Sequence, residues 1–268
     1  MIGRFVLALI LMATMATLSK VADIVLLHAA GSLRSALTDV VAAYEAASCD
    51  KVQPKWGASG LLKDEIAGGA KAEVFASANM AHPQALSQAK LSGPVALFAR
   101  NRLCALVRPD LAVEPTTLLG TLLDPQIKVG TSTPKADPSG DYAFESFKRA
   151  EAIKAGAQLT LEKKALQLTG AATSATSPHG RSVYGWHVAE GRADIFLTYC
   201  TNAMAAVKEN PGQRSINLPA SLEVGADYGL TVMNDSSMGA YRLALFILSV
   251  EGQRILAAYG FSAPGLTQ

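Results

Sequence analysis

The chain has 268 residues, of which 50% are hydrophobic and 17% charged, and its formal net charge is +2 at pH 7. This length exceeds that of one typical domain and allows two lobes, each with its own core. The small net charge comes without a run of arginine or lysine, which gives no electrostatic support for a nucleic-acid groove. We therefore expect a globular protein that does not bind nucleic acid.

The first 19 residues have the pattern of a secretory signal peptide. Arg4 precedes an apolar run over residues 5–16, which is too short to span a bilayer comfortably, and small residues follow that run. We expect cleavage after Ser19, with cuts after Ala16 or Ala22 as alternatives. An uncleaved anchor is less favoured because the run is short. The mature protein is therefore expected in the periplasm.

Strand and helix signals alternate along the rest of the chain. Predicted strands cover residues 24–27, 51–55, 74–77, 103–107, 127–130, 195–199 and 228–233, and predicted helices cover residues 32–47, 61–67, 83–91, 142–154, 238–248 and 252–259. This alternation predicts an α/β fold with parallel sheets covered by helices. The unit occurs twice without a Pro-rich linker, so we expect two lobes with shared crossover strands: lobe 1 from residues 20–103 and the returning C-terminal residues 222–268, and lobe 2 from residues 104–221.

Two of the predicted strands end in turns of small residues that lead through a serine into a helix. Ser32 follows residues 29–31, and Ser59 follows residues 57–58. Free backbone amides and the positive end of the helix dipole at such a turn favour an anion. Open α/β sheets bind ligands at the carboxyl ends of their strands, so we expect both turns to belong to one site. Ser139 lies at a third helix start of this kind.

The three cysteines are Cys49, Cys104 and Cys200, and they cannot all pair within one chain. Cys104 lies in an apolar run, where a buried free thiol is the simplest expectation. A disulfide to Cys49 is conceivable in an exported protein, but the spacing of the cysteines does not support it. We expect three thiols.

The serine turns do not match the motifs of hydrolases or of phosphate-binding loops. Leu61 stands where the nucleophile motif G-x-S-x-G needs its last glycine. Residues 130–135 lack the Gly-Lys-Ser/Thr ending of a phosphate loop. We therefore expect no catalytic residue, no enzyme activity and no cofactor. The alternative from another class is an exported serine hydrolase with Ser59 or Ser32 as its nucleophile.

An ordered set of motifs resembles those of the periplasmic molybdate-binding proteins of molybdate ABC importers. The motifs are residues 29–33 (Ala-Ala-Gly-Ser-Leu), 58–60 (Ala-Ser-Gly), 66–79 (which end in Val-Phe-Ala-Ser-Ala-Asn), 101–103 (Asn-Arg-Leu) and 191–199 (Gly-Arg-Ala-Asp-Ile-Phe-Leu-Thr-Tyr). The resemblance covers nearly the whole mature chain. It implies the two-lobed type II fold of periplasmic solute-binding proteins, in which each lobe is a mainly parallel sheet covered by helices and the ligand cleft lies between the lobes.

The resemblance also implies the ligand, the partner and the site residues. Ser32, Ser59 and Tyr199 match residues whose hydroxyl groups hold the oxyanion, molybdate or tungstate. Ser139 falls where the family presents a backbone amide from the second lobe. Arg181 falls near a position that is usually apolar, and a guanidinium there would add a charge and a two-pronged donor. The implied function is capture of the oxyanion by a monomer and its delivery to the membrane permease of an ABC importer, with another small anion held by Arg181 as the alternative.

Overall fold

The computed structural model describes residues 23–262 and residue 264. The signal peptide predicted over residues 1–19 lies outside the described residues. The strands are β1 (Ile24–Ala30), β2 (Lys51–Gly57), β3 (Val74–Ser77), β4 (Ala96–Val107), β5 (Val129–Ser132), β6 (Leu166–Thr169), β7 (Ile195–Tyr199), β8 (Arg214–Asn217) and β9 (Gly225–Val232).

Helices alternate with these strands, as the sequence pattern predicts. They are α1 (Arg34–Ala47), α2 (Ser59–Ala67), α3 (Ala81–Gln88), α4 (Leu118–Leu123), α5 (Pro138–Glu151), α6 (Ala157–Lys164), α7 (Val183–Ala189), α8 (Cys200–Glu209), α9 (Met238–Leu248) and α10 (Val250–Ala258). Within the described residues, none of the helices is long and apolar enough to cross a lipid bilayer.

The described strands form a 9-stranded sheet in the order β2-β1-β3-β9-β4-β7-β5-β6, with β8 paired to β4. β1 is parallel to β2 and β3, and β5 is parallel to β6 and β7. β9 and β4 lie between these two parallel groups and run antiparallel to their neighbours. The sheet therefore contains two parallel units that are joined through an antiparallel centre.

The long strand β4 takes part in both halves of the molecule. Residues 96–102 pair with β9, whereas residues 103–107 pair with β7 and β8. The two largest clusters of buried apolar side chains in the described residues divide in the same way, since one contains Leu27 and Leu243 and the other contains Phe147. We call these halves the first lobe (β1–β3, β9, α1–α3, α9 and α10) and the second lobe (β5–β8 and α4–α8).

A polar cluster joins the C-terminal helix α9 to the first lobe. Arg242 donates hydrogen bonds to both carboxylate oxygens of Asp50, each at 2.8 Å, and one at 3.0 Å to Asp23. Tyr44 donates a further hydrogen bond to Asp50, at 2.5 Å from oxygen to oxygen. Asp50 is fully buried. Its paired charge therefore fixes α9 against α1 and the start of β2.

The expectation of three free thiols is wrong, because Cys104 and Cys200 form a disulfide. The two residues are separated by 96 positions in the chain, but their Cα atoms are 4.8 Å apart. The antiparallel pairing of β4 with β7 sets Leu103 opposite Tyr199, and each cysteine directly follows one of these partners. This proximity depends on the tertiary fold and has no signal in the spacing of the cysteines. Cys49 is free and exposed.

Candidate functional site

The two small-residue turns lie next to each other, at the carboxyl ends of β1 and β2. The last residues of these parallel strands, Ala30 and Gly57, are paired in register. The chain then forms a 3-10 turn over Gly31–Leu33, so Ser32 lies within this turn, and α1 begins at Arg34 instead of at residue 32 as the sequence predicts. The second turn leads directly into α2 at Ser59. Among the described residues, no N-cap side chain bonds the start of either segment, and at the start of α2 the amide of Gly60 donates instead to the carbonyl of Ala136.

A cleft with a volume of about 880 Å³ opens at these turns. Four residues expected at the site line it, namely Ser32, Ser59, Arg181 and Tyr199. Its second-lobe wall also includes residues 174–184, which connect β6 to α7. The structure therefore brings the two turns of the first lobe into one cavity with groups of the second lobe.

The two turn serines are each already in contact with the protein. The Ser32 hydroxyl lies 3.1 Å from the hydroxyl of the buried Tyr228. Ser59 is also buried, and its hydroxyl oxygen accepts a hydrogen bond of 3.0 Å from the amide of Ala78. Because Ser59 acts here as an acceptor, its own hydroxyl hydrogen is left to donate to a second partner. Both serines are thus oriented and can serve as neutral donors to a ligand oxygen.

Tyr199 ends β7 and is buried between two other aromatic rings. Its ring centroid lies 6.1 Å from that of Tyr142 and 5.5 Å from that of Tyr228. Its hydroxyl donates a hydrogen bond of 3.3 Å to the carbonyl of Ala78. Burial raises the pKa of Tyr199 well above its ordinary value, as it does for Tyr228. Both phenols are therefore uncharged at neutral pH.

Ser139 does not line the cleft. It is fully buried at the start of α5, and its amide donates a hydrogen bond of 3.1 Å to the carboxylate of Asp137. Its hydroxyl has no hydrogen-bond partner within the described part of the chain. The cleft wall at this point is formed by Asp137, which is the N-cap of α5. The amide expected to face a ligand is therefore bonded to an acidic side chain of the protein itself.

Arg181 lies in the cleft wall, but its guanidinium is engaged. Its Nε forms an ion pair with Glu209, and its Nη2 donates a hydrogen bond of 3.1 Å to Asn210. Glu209 also accepts a hydrogen bond of 2.6 Å from the amide of Ser182. The positive charge of Arg181 is consequently balanced by a carboxylate of α8.

Among the described residues, four with formally charged side chains line the cleft: Arg34, Asp137, Arg181 and Glu209. Arg34 lies over the ring of Trp56, with its guanidinium carbon 5.9 Å from the ring centroid. Two cations and two carboxylates balance in number, so the cleft has no excess positive charge for long-range attraction of an anion. Recognition of an anion here depends on hydrogen bonds from neutral donors and backbone amides.

Two residues of this site could not be assigned to it from the sequence. They are Asp137, which lines the cleft, and Tyr228, which contacts Ser32. Asp137 precedes a proline at a helix start, which indicates an N-cap, and nothing local shows that it reaches a cavity. Tyr228 is 196 positions from Ser32 and meets it only because β9 pairs with β3 next to β1. The local signal for both residues is that of ordinary structural residues.

Comparison with known proteins gives a consistent result. The model of a family described as bacterial extracellular solute-binding protein matches residues 25–262. An uncharacterised protein of Pasteurella multocida is 32% identical over 87% of this chain and 96% of its own length.

Two solved structures have the same fold at low sequence identity. The sulfate-binding protein SubI of Mycobacterium tuberculosis is 18% identical, with a TM-score of 0.75 over 90% of this chain and 87% of its own. The periplasmic molybdate-binding protein of Azotobacter vinelandii is 16% identical, with a TM-score of 0.71 over 90% of this chain and 99% of its own. The two-lobed α/β fold predicted from the sequence is confirmed by these similarities.

Proposed function

Because this chain belongs to the family of bacterial extracellular solute-binding proteins, we propose that it captures a small oxyanion in the cleft between its lobes. Proteins of this family bind a ligand outside the cytoplasm and pass it to the permease of an ABC transporter. The expected partners of this chain are thus an oxyanion and a membrane permease. We further propose that residues 1–19 are removed on export, that lobe 1 and lobe 2 have the boundaries expected above, and that the mature protein acts as a monomer.

The observation that carries this proposal is the convergence of two serine turns on one cleft. Ser32 and Ser59 bring hydroxyl donors and the starts of helical segments to the same edge of the sheet. Tyr199 brings an uncharged phenol from the second lobe, and its O–H would have to turn from the carbonyl of Ala78 to donate to an anion. Such groups surround the oxygen atoms of an anion with hydrogen-bond donors, and the peptide dipoles at the helix start add to the attraction.

Molybdate or tungstate is the ligand that we propose first. The motifs around Ser32, Ser59 and Tyr199 resemble those of molybdate-binding proteins, and the Azotobacter vinelandii protein has the same fold. Sulfate is a competitor, because it is also a tetrahedral dianion and a sulfate-binding protein also has this fold. Selection between these anions would depend on the size of the donor cage, which the closing of the lobes completes.

A larger organic anion held by Arg181 is the second candidate. The cleft volume of about 880 Å³ lies in the range of sites for drug-sized ligands, roughly 300–1,000 Å³, and leaves room around a four-oxygen anion. Arg181 carries five N–H groups, and those bonded to Glu209 and Asn210 leave others for a ligand. A ligand with its oxyanion group at the serine turns and its organic part along residues 174–184 would fit this cleft.

The contacts of the serines support binding over hydrolysis. A nucleophilic serine needs an adjacent base, usually a histidine, within hydrogen-bond distance. In the described part of the chain, Ser32 bonds to a tyrosine hydroxyl and Ser59 to a backbone amide, and neither bonds to a histidine. We propose that neither serine is a catalytic residue.

Calorimetric titration of the purified protein with molybdate, tungstate, sulfate and phosphate tests the proposed function. We expect saturable binding of at least one anion, with molybdate or tungstate the tightest. Tighter binding of a sugar phosphate, titrated in the same way, would favour the second candidate. If none of these anions gives a heat of binding and the protein hydrolyses a generic ester, the proposal is contradicted and the hydrolase alternative is supported.

A further inference from the structure

Asp137 places a carboxylate in the wall of the cleft where we propose that an anion binds. Its position is fixed, because its Oδ1 accepts the amide hydrogen of Ser139 at 3.1 Å and its side chain lies against Gly170. A Cβ atom at Gly170 would be 2.5 Å from the Cβ of Asp137, and Gly170 has φ +87°. The absence of a side chain at Gly170 thus makes room for this carboxylate, which cannot swing away from the cleft without breaking its cap.

No cation balances the charge of Asp137 among its close neighbours in the described residues. The charge that acts on it is that of Asp141, another carboxylate on α5. Tyr184 on α7 and Tyr199 on β7 are the ionisable groups on the neighbouring elements, and burial raises the pKa of both, so they are uncharged.

Two hydrogen bonds stabilise the ionised form of Asp137, but burial has the larger effect on its pKa. Burial raises the pKa of Asp137, and this effect outweighs the hydrogen bonds from the Ser139 amide and from Ser132, while Asp141 raises the pKa further. The carboxylate is thus more easily protonated than an exposed aspartate. An anion in the same cleft adds a second negative charge close to it, which favours protonation again.

We propose that Asp137 takes up one proton from solvent when an oxyanion enters the cleft, and that the protonated carboxyl then donates a hydrogen bond to the anion. This inference rests on the proposed function. One proton is removed from the buffer and bound at the Asp137 carboxyl for each dianion bound, so the site gains one negative charge overall. Asp137 therefore changes from a repulsive acceptor to a donor, and anion affinity depends on pH.

The proposal also separates classes of anion. Sulfate and molybdate carry no proton near neutral pH, so they need the proton that Asp137 takes up. A hydrogenphosphate group brings its own proton and can donate it to the ionised carboxylate, with no uptake from the buffer. Asp137 is in this way a specificity-determining residue of the cleft.

The experiment is calorimetric titration with molybdate and with sulfate at several values between about pH 6 and about pH 8, in buffers of different ionisation enthalpy. The wild type should take up one proton per anion, and its affinity should fall with rising pH, by up to about tenfold per pH unit where Asp137 is ionised. The Asp137→Asn variant, which keeps an acceptor for the Ser139 amide, should take up none, and its affinity should be independent of pH.

Asp141→Asn is the matched control, since it removes the same charge from the same helix at a residue that does not line the cleft. It should still take up a proton at Asp137, with the uptake shifted to lower pH because Asp141 no longer raises the pKa of Asp137. His179 also lines the cleft and is kept in both variants, so any proton uptake that it causes would persist in Asp137→Asn. Binding with the same proton uptake in the wild type and in Asp137→Asn would overturn this inference alone. Failure of every anion to bind would instead overturn the proposed function, and this inference with it.

Discussion

The amide of Gly60 donates a hydrogen bond of 2.8 Å to the carbonyl of Ala136. Gly60 is the second residue of α2 in the first lobe, whereas Ala136 lies just before α5 in the second lobe. The two lobes therefore touch directly beside the cleft. A Cβ atom at Gly60 would lie 2.6 Å from the Ala136 oxygen, so this close approach requires glycine.

We predict that Gly60→Ala holds the lobes apart and weakens anion binding. Alanine suits the helix itself better than glycine, so the variant should fold, and the clash acts on the contact between the lobes. We expect at least about a tenfold loss of affinity, measured by calorimetry, since roughly 1.4 kcal/mol of lost contact has this effect.

The matched control for this change is Gly120→Ala. Gly120 lies in α4 and has nothing within 4 Å of an added Cβ. This variant should bind anions as the wild type does. Equal affinities of Gly60→Ala and Gly120→Ala would show that the contact between the lobes has no part in binding.

A second prediction concerns the polar cluster of α9. Arg242→Ala leaves the fully buried Asp50 without its charged partner, and breaking such a pair costs roughly 3 kcal/mol or more. We expect a loss of this size in the free energy of unfolding, measured by urea denaturation. Arg254→Ala is the control and should have little effect, because the ion pair of Arg254 with Glu251 is exposed. A similar loss of unfolding free energy in Arg242→Ala and Arg254→Ala would show that the buried cluster contributes no more to stability than an exposed ion pair.

The same cluster predicts a dependence on pH. Burial alone would raise the pKa of Asp50, but the hydrogen bonds from Tyr44 and Arg242 outweigh it and lower this pKa. A lowered pKa stabilises the folded state above the pKa of the unfolded state, about 3.9, and this contribution is lost as the pH falls through the folded value. The wild type should therefore lose stability below about pH 4. Urea unfolding at a series of pH values should show that acidification lowers the free energy of unfolding less in Arg242→Ala than in the wild type.

The disulfide gives a fourth prediction. Cys104 and Cys200 close a loop across a sequence separation of 96 residues, and a native disulfide typically contributes about 2–4 kcal/mol. Replacing both cysteines by serine should lower the free energy of unfolding by this amount. Cys49→Ser, at the exposed free cysteine, should leave it unchanged. Thiol titration of the unfolded, unreduced wild type should count one thiol, and a count of three would contradict the disulfide.

The strands and helices that could be predicted from the sequence are mostly those with a clear local pattern of apolar residues. The strand predicted over residues 24–27 is the start of β1, and the predicted helix over residues 238–248 has the bounds of α9. No strand or helix is predicted over residues 158–169, which contain most of α6 and all of β6. The weak apolar pattern of α6 explains this failure, because Ala157 and Leu161 are the residues that it buries.

The serine turns could be found from the sequence because each is a local signal, a strand that ends in small residues before a helix. The partners of these turns could not be found, because they depend on pairings over long separations. Tyr228 reaches Ser32 across 196 positions, and the cysteines meet across 96. The amide of Ser139 was expected to face the ligand, but it donates to the carboxylate of Asp137, which caps α5.

The most direct test of the anion site is the affinity of the Ser32→Ala/Ser59→Ala double variant for the anion that the wild type binds most tightly. Each lost hydrogen bond to a charged ligand costs roughly 1.5–3 kcal/mol, so calorimetry should show about a hundredfold or greater loss of affinity. Ser87→Ala in α3, outside the cleft lining, is the control and should bind as the wild type does. A double variant that keeps its fold, judged by its circular dichroism and melting temperature, and binds with wild-type affinity would contradict the placement of the anion at these turns.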